Sequence, residues 1–226
     1  MSNGLSIRSL MFWGALSLTA GAANSAFAVP VTEVEPNNTL ATAQNIDFKF
    51  SYDADSNITD STLIPHATIS GTGDGTFDYY SFTVYEPGFR GIFDIDFTFP
   101  FGMFGTFDPM LFLYAADGTL LAQNDNIPLA DPVDAGSMTR SDPYIDYTFA
   151  SAGTYIIGVA ETGSIGAPGG IIGDAPDVGD FYILNASVTG VPEPTTIALF
   201  GAGCASLIAY RRRKRRAEDQ METTAA

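Results

Sequence analysis

The sequence predicts an all-β protein: an antiparallel β-sandwich between an N-terminal signal peptide and a single C-terminal transmembrane helix. Two observations predict the sandwich. Apolar and polar residues alternate with a period of two through most of residues 29–190, and Gly, Asp and Pro separate the alternating stretches. No long stretch of this range keeps a helical period. Residues 29–190 are therefore interpreted as one domain with a sizeable core.

The first 28 residues have the features of a secretory signal peptide. Residues 1–9 contain Arg8 and no acidic residue, and residues 10–20 are mostly apolar. Ala26 and Ala28 flank Phe27 in the small-x-small pattern of a cleavage site. The mature chain is expected to start near Val29. The apolar stretch is short for a membrane anchor, which is the alternative.

The alternation predicts eight or nine strands. In residues 78–85 it places Tyr80, Phe82 and Val84 on one buried face. In residues 93–99 it predicts that the aromatic and aliphatic residues point inward, while Asp94 and Asp96 point outward into solvent. The remaining strands are expected at residues 110–114, 119–123, 144–149, 154–159 and 181–188, with weaker ones at 46–52 and 67–70.

Three loops interrupt these strands, at residues 100–108, 124–143 and 161–180. The last contains six glycines and two prolines, and it is expected to be mobile.

Charge and residue inventory restrict the possible functions. Residues 30–190 contain three basic residues against 22 acidic ones, a difference of −19, so binding to nucleic acid or to an anionic surface is not expected. His66 is the only histidine, and the only cysteine, Cys204, lies in the C-terminal segment. Neither a nucleophilic triad nor a zinc site can be assembled, so the chain is predicted not to be an enzyme. A hydrolase that uses two carboxylates is the less favoured alternative.

Oxygen ligands, in contrast, are abundant at the start of the domain. Glu33 and Glu35 alternate in an extended segment, so both can face one cation, and Pro36 turns the chain toward Asn37 and Asn38. Calcium prefers six to eight such oxygens. The alternative is an acidic linker in which Asn38 caps a short helical turn.

These residues open an ordered series of motifs that resembles the bacterial pre-peptidase C-terminal domain. The series continues with Ile-Ser-Gly at 69–71, Asp-Tyr-Tyr at 78–80, Asp-Pro-Met at 108–110, Asp-Gly at 117–118 and Ala-Gly-Thr-Tyr at 152–155. The resemblance implies a non-catalytic, jelly-roll-like accessory domain that binds a structural calcium ion. Carried over by position, the implied ligands are Glu33, Glu35, Asn37, Asn38, Ser70 and Asp78, with Asp74 displaced by one residue from the family pattern.

The C-terminal segment has three parts in a fixed order. Pro192, Glu193 and Pro194 come first, the uncharged residues 195–210 follow, and six basic residues occupy 211–216. A helix over 195–210 would be about 24 Å long and close to the thickness of a bilayer core. The basic residues should stay cytoplasmic, with residues 217–226 as a cytoplasmic tail.

This arrangement resembles the PEP-CTERM sorting signal. The resemblance implies an exported protein of the cell envelope or outer surface, held transiently in the inner membrane until an exosortase removes the tail. It also implies association with exopolysaccharide or a matrix protein. An ordinary single-pass anchor is the alternative for the tail, and a polysaccharide- or protein-binding accessory module is the alternative for the domain.

Overall fold

The computed structural model describes residues 30–96, 107–127, 141–191, 203 and 205–214. Within these ranges the chain forms one 3-10 turn, Asp47–Lys49, and short strands that make two five-stranded sheets and one two-stranded hairpin. The strands are β1 (Val31–Thr32), β2 (Gln44–Asn45), β3 (His66–Thr72), β4 (Asp78–Val84), β5 (Arg90–Asp96), β6 (Pro109–Ala115), β7 (Leu120–Asn124), β8 (Tyr144–Thr148), β9 (Gly153–Glu161), β10 (Ile165–Ala167), β11 (Gly170–Ile172) and β12 (Phe181–Val188).

The all-β prediction is confirmed, but the sheets are mixed and not purely antiparallel. The first sheet has the order β1-β3-β12-β5-β8, and the second has the order β2-β4-β9-β6-β7. In each, the short N-terminal strand at one edge runs parallel to its neighbour. The described pairs among the longer strands are antiparallel. Residues 31–45 therefore pair with both sheets before the first long strand begins.

The main core fills the space between the two five-stranded sheets. Its inward-facing residues alternate along each strand as predicted: Tyr80, Phe82 and Val84 of β4 are all buried in it. Phe82 packs against Phe93 of the opposite sheet with ring centroids 5.3 Å apart. Such aromatic contacts add to the free energy gained by burying the rings themselves.

A second apolar cluster lies on the outer face of the second sheet. It contains Phe112 and Tyr114 of β6, whose alternate residues Leu111 and Leu113 belong to the main core. The strand predicted at residues 110–114 is thus apolar on both faces, because it lies inside the sheet and not at its edge. Its outer cover is the β10–β11 hairpin, which contributes Ile171.

That hairpin corrects the prediction of a mobile loop at residues 161–180. The backbone N–H of Ile171 donates to the hydroxyl oxygen of Tyr79 over 2.8 Å, and both residues are buried. The glycines in this stretch were the reason for expecting mobility. Several adopt positive φ values, among them Gly169 at 89°, a backbone conformation that glycine adopts readily. In the β10–β11 hairpin the glycines therefore form an ordered turn.

The predicted solvent exposure of Asp94 and Asp96 is wrong. Both residues do point away from the main core, on the face opposite Phe93 and Ile95, but each is only 1% exposed. Asn185 of the neighbouring β12 donates to Asp94 Oδ2 over 3.1 Å and to Asp96 Oδ2 over 2.9 Å. The alternation assigned the correct face. It could not reveal that this face of β5 is itself covered.

Two further predictions differ from the structure or fall outside it. The weak strand at 46–52 is instead the 3-10 turn followed by one isolated bridge between Ser51 and His66. Outside the described residues lie the signal peptide with Ala26 and Ala28, the sorting residues Pro192, Glu193 and Pro194, and most of the loops at 100–108 and 124–143.

The described part of the C-terminal segment is helical at residue 203 and at residues 205–214. Among the described residues, no helix has the length and apolar character needed to cross a bilayer.

Candidate metal centre

The predicted N-terminal ligands lie on a segment that connects the two sheets. The N–H of Glu33 donates to the carbonyl of Ser70, next to the parallel pairing of β1 with β3 in the first sheet. Four residues later, the carbonyl of Asn37 accepts from the N–H of Tyr79 in β4 of the second sheet. The residues between these anchors therefore cross one end of the sandwich.

Three carboxylates meet at this end. Glu33, Glu35 and Asp78 each offer an oxygen, and these oxygens all lie within 4.8 Å of one another. Glu33 is half-buried, Glu35 is exposed and Asp78 is fully buried at the first position of β4. The arrangement thus runs from the protein interior to solvent, as an ion site with an entry path requires.

Two tyrosine hydroxyls form the inner side of the centre. Tyr80 donates to Glu33 Oε1 over 2.5 Å, and Tyr182 donates to Asp78 Oδ2 over 2.7 Å. The two hydroxyl oxygens are 2.7 Å apart. Gly71, the register partner of Tyr182, makes room for this ring, because a Cβ there would lie 2.1 Å from it.

The remaining contacts orient the carboxylates. Glu33 Oε2 accepts from the N–H of Thr72 over 2.8 Å, and Glu33 Oε1 accepts from the side-chain amide of Asn37 over 2.9 Å. Glu35 Oε2 accepts from the N–H of Asn37, also over 2.9 Å. Asn37 therefore holds both glutamates with its donors, and its side-chain oxygen is left for another partner.

Three buried oxygens at this end accept no hydrogen bond among the described residues: Oδ1 of Asn37, of Asn38 and of Asp78. Asn37 and Asp78 are 0% exposed. Most buried polar atoms in proteins have a partner, and leaving one without a partner costs on the order of 1–3 kcal/mol. These acceptors, one of which belongs to the Asp78 carboxylate itself, are what a bound cation would satisfy.

The electrostatics of the metal-free centre are unfavourable. Burial raises the pKa of Asp78 to about 8, and the charges of Glu33, Glu35 and Asp74 add to the increase, although the bond from Tyr182 opposes it. Burial and the neighbouring acids also raise the pKa of Glu35. Both effects disfavour the charged carboxylates, and a cation between them would reverse this.

The structure brings five of the seven predicted ligands to one end and arranges the other two differently. Asp74 accepts from the N–H and hydroxyl of Thr76, and it lies outside the three-carboxylate group. Ser70 takes part through its backbone, by the bond from Glu33. The two tyrosine hydroxyls were not among the predicted site groups. The signal available was that an inward-facing Tyr near a strand end needs a polar partner.

An open groove of about 520 Å³ adjoins the centre and is also acidic. Asn38 lies between the two, and Glu161, Asp174 and Asp177 line the groove. Burial raises the pKa of Glu161, and the nearby aspartates, with Asp177 first among them, raise it further. This end of the sandwich therefore favours a cation and repels an anion.

The donor set matches calcium better than other common ions. It consists of carboxylate and amide oxygens only, and calcium accepts six to eight oxygens in flexible geometry. Zinc prefers nitrogen and sulfur ligands, which this group lacks. If calcium binds, Glu33, Glu35 and Asp78 would neutralise it, and the Oδ1 atoms of Asn37 and Asn38 would supply further ligands.

Comparison with known families matches the C-terminal segment. Residues 190–216 match the PEP-CTERM protein-sorting motif. The chain therefore carries this motif, as its Pro-Glu-Pro, uncharged and basic parts predicted. No curated protein matches the chain.

Comparison with solved structures finds similar chains at low identity. The chain is similar to the pre-peptidase C-terminal domain of a collagenase from Bacillus anthracis, with 15% identity, a TM-score of 0.32, and coverage of 55% of this chain and 89% of that one. It is also similar to PliG, a periplasmic inhibitor of g-type lysozyme, from two organisms. The protein from Aeromonas hydrophila is 16% identical with a TM-score of 0.28, and the match covers 56% of this chain and 89% of that one. The protein from Salmonella Typhimurium is 15% identical with a TM-score of 0.29, and the match covers 66% of this chain and 100% of that one.

Proposed function

We propose that this chain is a non-catalytic protein of the cell envelope or outer surface, exported through its signal peptide and processed by an exosortase. The observation that carries the proposal is the sorting motif at residues 190–216. Such a motif indicates exosortase-dependent sorting of an exported protein. In the proposed sequence of events, a helix over residues 195–210 holds the chain in the inner membrane until the tail is removed.

The proposal of a non-catalytic role is supported by the position of the one histidine. His66 is 1% exposed, and its Nδ1 lies 3.2 Å from the carbonyl of Ser61. A general base must reach the proton that it abstracts. This cover at the start of β3 supports a structural role for the His66 side chain.

The proposed role of calcium is structural. The N-terminal segment is attached to the first sheet at Ser70 and to the second at Tyr79, and the three carboxylates lie between these attachments. A cation there would remove the repulsion and hold the two sheets together at this end. It would also stiffen the link to the preceding chain. The proposed partners of the displayed domain are exopolysaccharide or a matrix protein.

The sorting proposal is tested by mass spectrometry of the protein from its native envelope, with and without the exosortase gene. We expect the tail to be absent from most molecules when the enzyme is present and retained when it is deleted. Glu193→Gln should also retain the tail. Glu222→Gln, which lies beyond the matched residues, is the control and should be processed normally. Intact residues 211–216 on most wild-type molecules in the enzyme-containing host would refute the proposal.

A further inference from the structure

The sorting motif begins inside the folded domain. The match starts at Gly190, and Val191, its second residue, is 3% exposed in the main core. Pro192, the first residue of Pro-Glu-Pro, follows directly. No spacer separates the last core residue from the signal that an enzyme must bind.

The residues before Val191 are held by specific contacts. The N–H of Val188 donates to the carbonyl of Pro65 over 2.9 Å, and the N–H of Thr189 donates to the carbonyl of Arg90 over 2.9 Å. The N–H of Arg90 donates in return to the Thr189 hydroxyl oxygen over 2.8 Å. Hydrogen bonding to β5 therefore continues beyond the end of β12, up to the residue before Gly190.

Gly190 fits this exit path where other residues would not. Its φ is +77°, a conformation that favours glycine, and a Cβ there would lie 2.0 Å from the ring of Phe89. The chain thus turns closely past Phe89, and the side chain of Val191 then enters the core. We call residues 189–191, with these contacts, the exit segment.

The exit segment lies close in sequence to the uncharged stretch of the signal. Three residues, Pro192 to Pro194, precede the uncharged stretch, and when fully extended they span only about 10 Å. A processing enzyme breaks one peptide bond: the carbonyl carbon passes to water or to an acceptor amine, and the nitrogen leaves with the tail. To bind chain on the carbonyl side of that bond, the enzyme must reach residues that the fold holds.

We infer that the folded exit segment limits processing, so that release of Val191 from the core precedes cleavage. The inference rests on the proposed exosortase processing. When opening is fast relative to cutting, the cleavage rate follows the population of the open form. Weakening the anchor at Val191 should therefore accelerate tail removal although Pro192, Glu193 and Pro194 are unchanged.

The test is a pulse-chase measurement of tail loss from the full chain in its native host, followed through an epitope placed after Ala226. Val191→Ala removes apolar contact at the anchor, and we expect about tenfold faster processing. Insertion of Gly-Ser-Gly-Ser between Val191 and Pro192 leaves the anchor in place and supplies free chain, so it should also accelerate processing. Val159→Ala is the matched control, because it is the same truncation at a fully buried core position in β9.

The possible outcomes separate the inference from the function on which it rests. Wild-type rates for both Val191→Ala and the insertion would overturn the inference. Equal acceleration by Val159→Ala and Val191→Ala, with none by the insertion, would also overturn it, because global unfolding would then control the rate. As a separate control, residues 190–226 are fused to an unrelated protein through a flexible linker. Retention of the tail by this fusion and by every variant would refute the proposed function, and the inference with it.

Discussion

Replacement of Asp78 by Asn should change how the stability of the metal-free domain depends on pH. In the folded protein the pKa of Asp78 is raised to about 8, chiefly by burial, from an ordinary value of 3.8. Between these values the folded state keeps a proton that the unfolded state has lost. Stability therefore falls as pH rises from about 4 to about 8, and Asp78→Asn removes this fall.

The magnitude follows from the shift. One pKa unit corresponds to about 1.4 kcal/mol, so over the three units from pH 4 to pH 7 Asp78 lowers the free energy of unfolding by about 4 kcal/mol. The amide of the variant keeps an oxygen that can accept the bond from Tyr182, so the local packing is preserved. The quantity to measure is the difference in unfolding free energy between wild type and Asp78→Asn at each pH.

The assay is urea denaturation of residues 29–191 in EDTA from pH 4 to pH 7.5. Residue 191 is included because Val191 belongs to the core. Asp146→Asn serves as a control: Arg90 lowers the pKa of Asp146, so its small contribution to stability is lost only below about pH 4 and should stay constant across this range. If the difference in unfolding free energy between wild type and Asp78→Asn stays constant across this range, the reasoning is refuted.

Two further predictions concern packing around the polar groups, and both are measured by urea denaturation at pH 7. Gly71→Ala places a methyl group 2.1 Å from the ring of Tyr182, so the ring must move, and we expect a loss of about 1–3 kcal/mol or more. Asn185→Ala removes the donor shared by Asp94 and Asp96 and should cost about 1–3 kcal/mol. A change within about 0.5 kcal/mol, typical of surface substitutions, would contradict either prediction.

Much of the fold could be predicted because alternation reports which residues face the core. The strand expected at residues 78–85 forms at Asp78–Val84 with the predicted inner face. Alternation says nothing about whether the other face is covered. Asp94 and Asp96 show this: both are buried, and their donor Asn185 is distant in sequence and becomes a neighbour only through the pairing of β5 with β12.

The candidate site could be predicted in its local part only. Glu33, Glu35, Asn37 and Asn38 lie in one short segment, so their proximity follows from chain geometry. Tyr182 reaches the same place because β12 pairs with β3 next to Gly71. That register depends on the whole sheet, so the sequence could not place this hydroxyl 2.7 Å from Asp78.

The most direct test of the calcium centre is thermal melting of residues 29–191 in EDTA, in millimolar magnesium and in millimolar calcium. Calcium that binds only the folded state would raise stability by about 2.7 kcal/mol at a hundredfold excess over Kd, a shift of several degrees for a domain of this size. We expect this shift in wild type and in the exposed control Glu86→Gln, a much smaller one with magnesium, and none in Glu35→Gln. No calcium-dependent shift in wild type, or an undiminished shift in Glu35→Gln, would contradict the assignment of the centre to Glu33, Glu35 and Asp78.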